Sequence, residues 1–428
     1  MRTYETFIFE CYVFNAPAKT LELHYGYDDT LHFTEKYSFD FDFADHDPLV
    51  LDRALQNLFF IAGVSYYKAF LAPRIVVRQG SIDTKQAAFL ARTYQQGLGE
   101  FFYVNHLDPT EPITFPINAE TATTLSHDAT GLLIGLGGGK DSLVTTEALS
   151  HEPRVATWSV GHRAQLTPLV QRIGLPHLWV ERQWDRQLLA LNQAGAYNGH
   201  VPISAILAAA GAVAAVLGGY KEVVVSNEQS ANEPTLTYRG VAINHQYSKS
   251  QAFETAWQEL LTSQFGNTLH YYSFLRPLSE LSIAEMFAKQ AFEKYNGLFS
   301  SCNRAYRANS SELSWCGECS KCAFVYLALA NFIDEVSLTT IFNGKNLLLE
   351  DSLEPTFRQL LGIEGDKPLE CVGAIQESRY AMRQLQTTYP ELQKYQFELQ
   401  PDYDYRTMGT HSMPATMIAK LAAIAPAI

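Results

Sequence analysis

A glycine-rich turn between a short apolar strand and a helix constrains this chain more than any other feature. The run GLLIGL over 131–136 predicts a buried strand, GGGKDS follows over 137–142, and DSLVTTEALS predicts a helix over 141–150. Glycines adopt backbone angles that other residues avoid, so their N–H groups can approach a ligand closely. The N-terminus of the next helix adds free N–H groups and the positive end of a dipole. The sequence therefore predicts a turn that binds phosphate.

Short apolar strands alternate with helices through the middle of the chain. We predict further strands over 154–160, 177–181 and 222–226, and an Ala-rich helix over 203–217. Apolar strands separated by helices are typical of parallel sheets that are covered on both faces. The predicted fold class is therefore α/β, with a doubly wound parallel sheet.

The regions before and after this alternation have a different character. Period-2 and aromatic patterns in TYETFIFECYVF and KTLELHYGY predict antiparallel strands, and the sequence after residue 336 is helix-like. A chain of 428 residues exceeds the size at which one core suffices. The predicted domains are an N-terminal α+β domain over 1–125 with an expected role in substrate binding, a doubly wound domain over 126–335, and a small C-terminal helical domain over 336–428.

Charge and hydropathy argue against several classes of partner. The formal net charge is -13 and no Lys/Arg-rich block occurs, so nucleic acid is not an expected partner. The longest apolar run, over 203–217, is shorter than the roughly 20 residues of a membrane span, and the N-terminus has no signal-peptide pattern. We therefore expect a cytoplasmic protein without a membrane segment, of unknown oligomeric state.

The glycine turn departs from the common nucleotide-binding motifs. It matches neither the Walker A loop nor the G-x-G-x-x-G fingerprint, but it resembles the S/G-G-G-x-D-S loop of the PP-loop ATP pyrophosphatases. That resemblance implies cleavage of ATP between its α and β phosphates, with release of AMP. The expected ATP-binding residues are Gly137, Gly138, Gly139, Lys140, Asp141, Ser142 and, at the end of the second strand, Ser159. Asp141 is also a candidate to help hold Mg²⁺.

Four of the six cysteines lie close together in the sequence and have the spacing of metal ligands: Cys302, Cys316, Cys319 and Cys322. Four thiolates suit a structural zinc ion, while an iron–sulfur cluster and unliganded cysteines stay open as alternatives. We expect this site to fasten the chain after the sheet and to shape one wall of the active site. Nearby Arg304, Arg307 and Lys321 are either solvated cations or contacts for phosphate or carboxylate.

Polar residues follow the fourth predicted strand, where ligands of open parallel sheets bind. SNEQSANEPT begins at residue 226 and NHQYSKS at residue 244. Glu228, His245 and Lys249 are candidates for proton transfer, as is His200 before the Ala-rich helix. The alternatives are a long polar loop and, for His200, a residue that only begins the helix.

Together GLGGGKDS, SNEQSANEPT, NHQYSKS and WCGECSKC resemble the family of UDP-N-acetylmuramoyl-L-alanyl-L-glutamate epimerases, the MurL family. The resemblance implies that ATP and Mg²⁺ activate the terminal L-glutamate of a UDP-linked muramoyl dipeptide as an acyl-adenylate. Inversion to D-glutamate would follow, with release of AMP and pyrophosphate, in peptidoglycan precursor synthesis. For the catalytic acid and base we predict His245 and Lys249 first, then Glu228 and His200.

Two other functions are compatible with these motifs. The cysteine pattern after the glycine turn also resembles 7-cyano-7-deazaguanine synthase, which implies a ligase or amidase that adenylates a carboxylate. That family is usually much shorter and does not account for either flanking region. A nonenzymatic module that senses nucleotides is the alternative from another class. Release of pyrophosphate in the presence of an acid would separate this module from the enzymes.

Overall fold

A nine-stranded mixed sheet forms the centre of the fold in the computed structural model, which describes residues 3–121, 123–306 and 313–425. The strands of the described residues are β1 (Thr6–Asn15), β2 (Thr20–Tyr27), β3 (Leu31–Asp40), β4 (Arg74–Val77), β5 (Leu132–Gly135), β6 (Val155–Val160), β7 (His177–Gln183), β8 (Glu222–Val225), β9 (Leu236–Tyr238), β10 (Val241–Ile243) and β11 (His270–Ser273). Strands β9 and β10 pair separately as a small antiparallel hairpin.

The order of the strands across the sheet is β11-β8-β5-β6-β7-β3-β2-β1-β4. From β11 to β7 all neighbours are parallel, as predicted for the middle of the chain. β3 then pairs antiparallel with β7, and β1, β2 and β3 form an antiparallel meander. The N-terminal strands therefore extend the same sheet, and the predicted boundary at residue 125 does not separate two sheets.

Helices occupy much of the remaining chain. Within the described residues they are α1 (Pro48–Ala62), α2 (Val64–Tyr67), α3 (Thr84–Gly97), α4 (Gly99–Val104), α5 (Lys140–Leu149), α6 (Arg163–Ile173), α7 (Gln187–Gln193), α8 (Ile203–Gly218), α9 (Gln251–Phe265), α10 (Glu280–Gln290), α11 (Phe292–Tyr295), α12 (Ser320–Leu329), α13 (Glu335–Ile341), α14 (Glu354–Leu360), α15 (Ile375–Leu385) and α16 (Ala415–Ile424). None of these helices has both the length and the apolar character needed to cross a bilayer.

Both faces of β5 are buried, but against different helices. Leu133 belongs to the hydrophobic core that contains α8, whereas Leu132 and Ile134 belong to the core that contains α5 and α10. Alternate residues of a strand point to opposite faces, so helices cover the parallel sheet on both sides. The Ala-rich α8 packs closely because its residues are small: a Cβ at Gly211 would meet Trp158 Cζ2 at 2.6 Å.

The chain reverses its direction across the sheet at β5. From β5 it proceeds to β6 and β7 on one side, and it later returns to add β8 and β11 on the other side. Such a reversal opens a crevice at the carboxyl ends of the central strands, where open α/β sheets bind ligands. The glycine turn begins two residues after the end of β5 and so lies at this crevice.

Candidate active site

A cavity of about 640 Å³ lies at the carboxyl ends of β5, β6 and β8. Its wall includes the glycine turn, the end of β6, part of α8, residues 225–227 and the segment 301–306. Among the predicted ATP-binding residues, the wall contains Gly137, Gly139, Asp141, Ser142 and Ser159. The structure therefore brings most of that predicted set to one cavity.

The glycine turn has the backbone geometry that its sequence predicts. Gly138 has a φ of 80°, in the left-handed region, and Gly139 caps the N-terminus of α5. No atom lies within 4 Å of where a Cβ on Gly137 would stand, so the turn leaves open space beside the cavity. Ser142 Oγ donates to the Gly139 carbonyl at 2.9 Å. The turn and the first N–H groups of α5 thus form a cradle with room for an anion.

The segment after α11 fixes the glycine turn from the outside. The backbone N–H of Ser300 donates to the Gly138 carbonyl at 2.9 Å, and the Tyr306 hydroxyl donates to the Gly137 carbonyl at 2.5 Å. Because these bonds hold two carbonyl groups, they determine how the turn is oriented towards the cavity.

Lys140 does not place its ammonium group in the cavity wall, in contrast to its expected role as a phosphate donor. Its side chain is 2% exposed and forms ion pairs with Asp141 and Glu280. Burial alone would lower the pKa of Lys140, but the two carboxylates raise it. Lys321 does line the cavity, and its Nζ lies 3.8 Å from Glu280 Oε1. Two buried cations therefore share Glu280 behind the turn.

The end of β6 has groups that suit a nucleotide base. Ser159 Oγ is 3.0 Å from His177 Nε2. Burial, and to a smaller extent the charge on Arg163, lower the pKa of His177 to about 4. This imidazole is therefore neutral at neutral pH. Trp158 lines the cavity, and its buried indole Nε1 has no hydrogen-bond partner within the described residues. The position of adenine here stays a prediction.

The four predicted cysteine ligands come together beside the cavity. Their sulfur atoms all lie within 4.8 Å of one another, with 3.5 Å between Cys319 and Cys322 and 3.9 Å between Cys302 and Cys319. Four thiolates around zinc at about 2.3 Å place their sulfurs roughly 3.8 Å apart, so the group fits a tetrahedral zinc ion. Cys302 also lines the cavity. This position supports the predicted role of the cysteines in shaping one wall.

We expect the purified protein to carry one zinc ion and Cys316→Ser to lose it. The variant should also melt at a lower temperature, because a structural zinc site contributes directly to folding. Elemental analysis and thermal unfolding with and without a chelator measure both effects. Cys11→Ser is the matched control, since Cys11 lies in β1 and is not part of the four-cysteine group. Iron in place of zinc would support the iron–sulfur alternative.

Two arginines near the cysteines were predicted either as solvated cations or as contacts for phosphate or carboxylate. Arg304 Nη1 pairs with Glu318 Oε2 at 2.8 Å, and both side chains are exposed, so Arg304 behaves as a solvated surface cation. Arg307 lies outside the described residues.

A second cluster of reactive groups joins residues from the first two thirds of the chain to a cysteine in the C-terminal third. Lys249 and Cys371 both line the cavity, and Lys249 Nζ donates to Cys371 Sγ at 3.2 Å. His245 Nε2 is 3.9 Å from the same sulfur, and its Nδ1 is hydrogen-bonded to Glu100 Oε2. His200 Nδ1 lies 3.4 Å from that carboxylate oxygen. We call these five residues the thiol cluster.

The charges in the thiol cluster depend on one another. Burial alone would raise the pKa of Cys371, but the Lys249 ammonium and the hydrogen bond to His245 lower it to about 6. Burial alone would lower the pKa of His245, but hydrogen bonds to Cys371 and Glu100 raise it to about 9. Burial and the charge on His245 lower the pKa of His200 to about 4. These shifts favour a thiolate on Cys371, a proton on His245 and a neutral imidazole on His200.

Three of the four predicted proton-transfer residues thus meet in one cluster: His245, Lys249 and His200. Glu228 has no hydrogen bond to the cluster among the described contacts, although its charge acts on Lys249. It is buried, accepts from Ser230 Oγ at 3.2 Å, and has a pKa raised by burial and by Glu280. The catalytic roles of all four stay predictions. Sequence reasoning assigned no role to Glu100 or Cys371. A cysteine outside the four-cysteine group, in a chain with candidate histidines, was the available signal for Cys371.

Comparison with known proteins identifies the family. Residues 1–274 match the family described as the MurL N-terminal domain, and residues 298–397 match the MurL C-terminal domain. The chain belongs to the MurL family. The first MurL region contains the glycine turn, His245 and Lys249, and the second contains the four cysteines and Cys371. Both matched regions therefore contribute to the cavity.

Three MurL relatives cover most of this chain, and each is named UDP-N-acetyl-alpha-D-muramoyl-L-alanyl-L-glutamate epimerase. The protein of Xanthomonas oryzae pv. oryzae is 42% identical over 78% of this chain and 74% of its own length. A Micromonospora relative is 39% identical over 79% of this chain and 76% of its own length. The Salinispora tropica protein is 36% identical over 89% of this chain and 85% of its own length.

Proposed function

We propose that this chain is an ATP-dependent epimerase that converts the terminal L-glutamate of UDP-N-acetylmuramoyl-L-alanyl-L-glutamate to D-glutamate. The observation that carries the proposal is one cavity whose wall includes the glycine turn together with Lys249 and Cys371 of the thiol cluster. The names of the three relatives supply the substrate and the type of reaction. The product would serve peptidoglycan synthesis, and ATP with a UDP-linked substrate argues for a cytoplasmic location.

An unactivated carboxylate resists loss of its α-proton, because the resulting carbanion would place a second negative charge beside the first. ATP supplies an adenylyl group that neutralises the carboxylate and makes the α-proton accessible. Pyrophosphate is released when the acyl-adenylate forms, and water later releases AMP. An epimerase therefore needs both phosphate-binding groups and an acid or base near the same carboxylate.

The residues of the cavity meet these needs in different parts of its wall. The N–H groups at Gly137 to Gly139 and the start of α5 would hold the diphosphate. Asp141, which also lines the cavity, is placed to take part in holding Mg²⁺. Lys249 would attract the anionic carboxylate of the substrate before its activation. We infer membership of the PP-loop superfamily from this arrangement of strand, glycine turn and helix.

A direct assay tests the proposal. The protein is incubated with ATP, Mg²⁺ and UDP-N-acetylmuramoyl-L-alanyl-L-glutamate, and the chirality of the terminal glutamate is measured after acid hydrolysis. We expect D-glutamate to appear only when ATP is present, together with AMP and pyrophosphate. D-glutamate formed equally without ATP would contradict the proposal. A product joined to ammonia or to an amine would instead indicate the ligase alternative.

A further inference from the structure

We propose that Cys371 is one of the two groups that move the α-proton, and that His245 and Glu100 position it and set its charge. This inference rests on the proposed epimerase function and adds a residue to it. Cys371 is the member of the thiol cluster that lines the cavity together with Lys249. His245, His200 and Glu100 lie behind the thiol and act through it.

The chain fixes the thiol from several directions. Cys371 lies in the loop between α14 and α15, and the preceding residue, Glu370, accepts a hydrogen bond from the backbone N–H of Lys321 at 2.8 Å. Lys249 holds the sulfur at 3.2 Å, and Lys249 is itself held at its carbonyl by Arg276, at 2.5 Å. Arg276 is fully buried and paired with Glu254. The thiol is therefore held against a rigid, buried ion-pair network.

The Glu100–His245–Cys371 series has the arrangement of an activated thiol. A carboxylate orients an imidazole, and that imidazole faces the sulfur. A second cation, Lys249, contacts the sulfur directly, and Lys321 contributes a weaker positive field. Two cations within contact distance favour the charged form of a thiol over its neutral form. A thiolate at neutral pH can accept a proton from an activated carbon acid.

The proposed step balances without an oxidant or a further reactant. The α-carbon–hydrogen bond of the acyl-adenylate breaks, a sulfur–hydrogen bond forms on Cys371, and the electron pair moves onto the acyl carbonyl as an enolate. The second group then gives up a proton to the other face of the α-carbon, which completes the inversion, and it regains a proton from water. Cys371 releases its proton to water afterwards, because its ionised form is favoured at neutral pH.

Separating adenylation from proton exchange tests the role of Cys371. We expect Cys371→Ala and Cys371→Ser to keep substrate-dependent pyrophosphate release, but to lose deuterium wash-in at the α-carbon by about 10²–10⁴-fold. Cys11→Ala is the matched control and should retain both rates, because Cys11 lies in β1. Wash-in at the wild-type rate in both Cys371 variants would overturn the proposal. If the wild-type protein makes no AMP at all, the proposed function fails instead.

The reactivity of the wild-type thiol provides a second test that does not depend on the folding of a variant. Alkylation of Cys371 by iodoacetamide, followed by peptide mass spectrometry, should increase with pH to a plateau with a midpoint near 6. The groups that face the sulfur are Lys249, His245 and Lys321. Burial and Glu10 raise the pKa of Cys11, so its peptide is an internal control that reacts only at higher pH.

Further measurements decide whether Cys371 carries a proton or has another role. His245→Gln should move the alkylation midpoint of Cys371 upwards, because it removes a cation that stabilises the thiolate. A wild-type midpoint above about 8, near that of an ordinary thiol, would overturn the proposal. An acyl group found on Cys371 in the intact mass of protein quenched during turnover would also overturn it, since the thiol would then be a nucleophile.

Discussion

Replacing Gly138 with alanine should reduce pyrophosphate release by roughly 100-fold or more while the protein remains folded. A Cβ at this position would lie 2.7 Å from the Tyr306 hydroxyl and 3.1 Å from Leu166 Cδ2. The φ of 80° also disfavours any residue with a Cβ, at a cost of about 1–2 kcal/mol. If Tyr306 moves to relieve the clash, the hydrogen bond from its hydroxyl to the Gly137 carbonyl breaks, and the turn loses that support. A displacement of about 1 Å in a positioning group can cost roughly 100-fold in rate.

Gly174→Ala is the matched control for this experiment. Gly174 has a φ of 77° at the C-terminus of α6, and no atom lies within 4 Å of the position of its Cβ. The control therefore has the same backbone strain without the clash at the cavity. Both variants should melt at a lower temperature because of the backbone strain, Gly138→Ala more so because of its clash, but only Gly138→Ala should lose pyrophosphate release. Equal activity of the two variants would contradict the assigned role of the turn.

Glu280→Gln should lower the free energy of unfolding by about 3–5 kcal/mol, because it removes the charge that two buried cations share. The side chains of Glu280 and Lys140 are each 2% exposed, and that of Lys321 is 7% exposed. Lys140 keeps Asp141 as a partner, but both cations retain their cost of desolvation and lose the attraction of the carboxylate that they share. Urea unfolding of the wild type and the variant measures the difference.

The loss of stability in Glu280→Gln should become smaller as the pH falls below 4.5. Burial alone would raise the pKa of Glu280, but Lys140 and Lys321 lower it to about 2 in the folded protein, below its ordinary value of 4.5. The stabilising charge is therefore fully present above pH 4.5 and is lost as the pH falls towards 2. The difference between wild type and variant should shrink over that interval. Glu293→Gln, on the exposed side of α11, should change little at any pH.

Patterns that are local in the sequence predicted much of the fold. The strand before the glycine turn, the turn itself and α5 occupy adjacent residues, and their glycine content and apolar period determine them locally. The grouping of the four cysteines was also predictable, because three of them are close in the sequence, and two of these, Cys319 and Cys322, lie at the start of one helix. Strand β11 and the pairing of β3 with β7 were not predicted, because pairing between distant strands depends on tertiary contacts.

The thiol cluster shows why part of the candidate site was not predictable. Cys371 and Lys249 are 122 residues apart, and Glu100 and His245 are 145 residues apart. No short motif links these positions, and their proximity depends on how the C-terminal helices pack beside the sheet. Lys140 shows how a local motif leaves out a distant partner. Its place in GGGKDS predicted a phosphate contact, but its partner Glu280 lies 140 residues later and holds the ammonium in the interior.

The central claim is that this cavity transfers an adenylyl group from ATP to the carboxylate of the substrate. The most direct measurement uses UDP-linked muramoyl dipeptide labelled with ¹⁸O in its terminal α-carboxyl group, with mass spectrometry of the released AMP. When water attacks the acyl carbon of an adenylate, the bridging oxygen leaves with AMP, so we predict AMP that contains one ¹⁸O atom. AMP without the label, or ADP as the nucleotide product, would contradict the account.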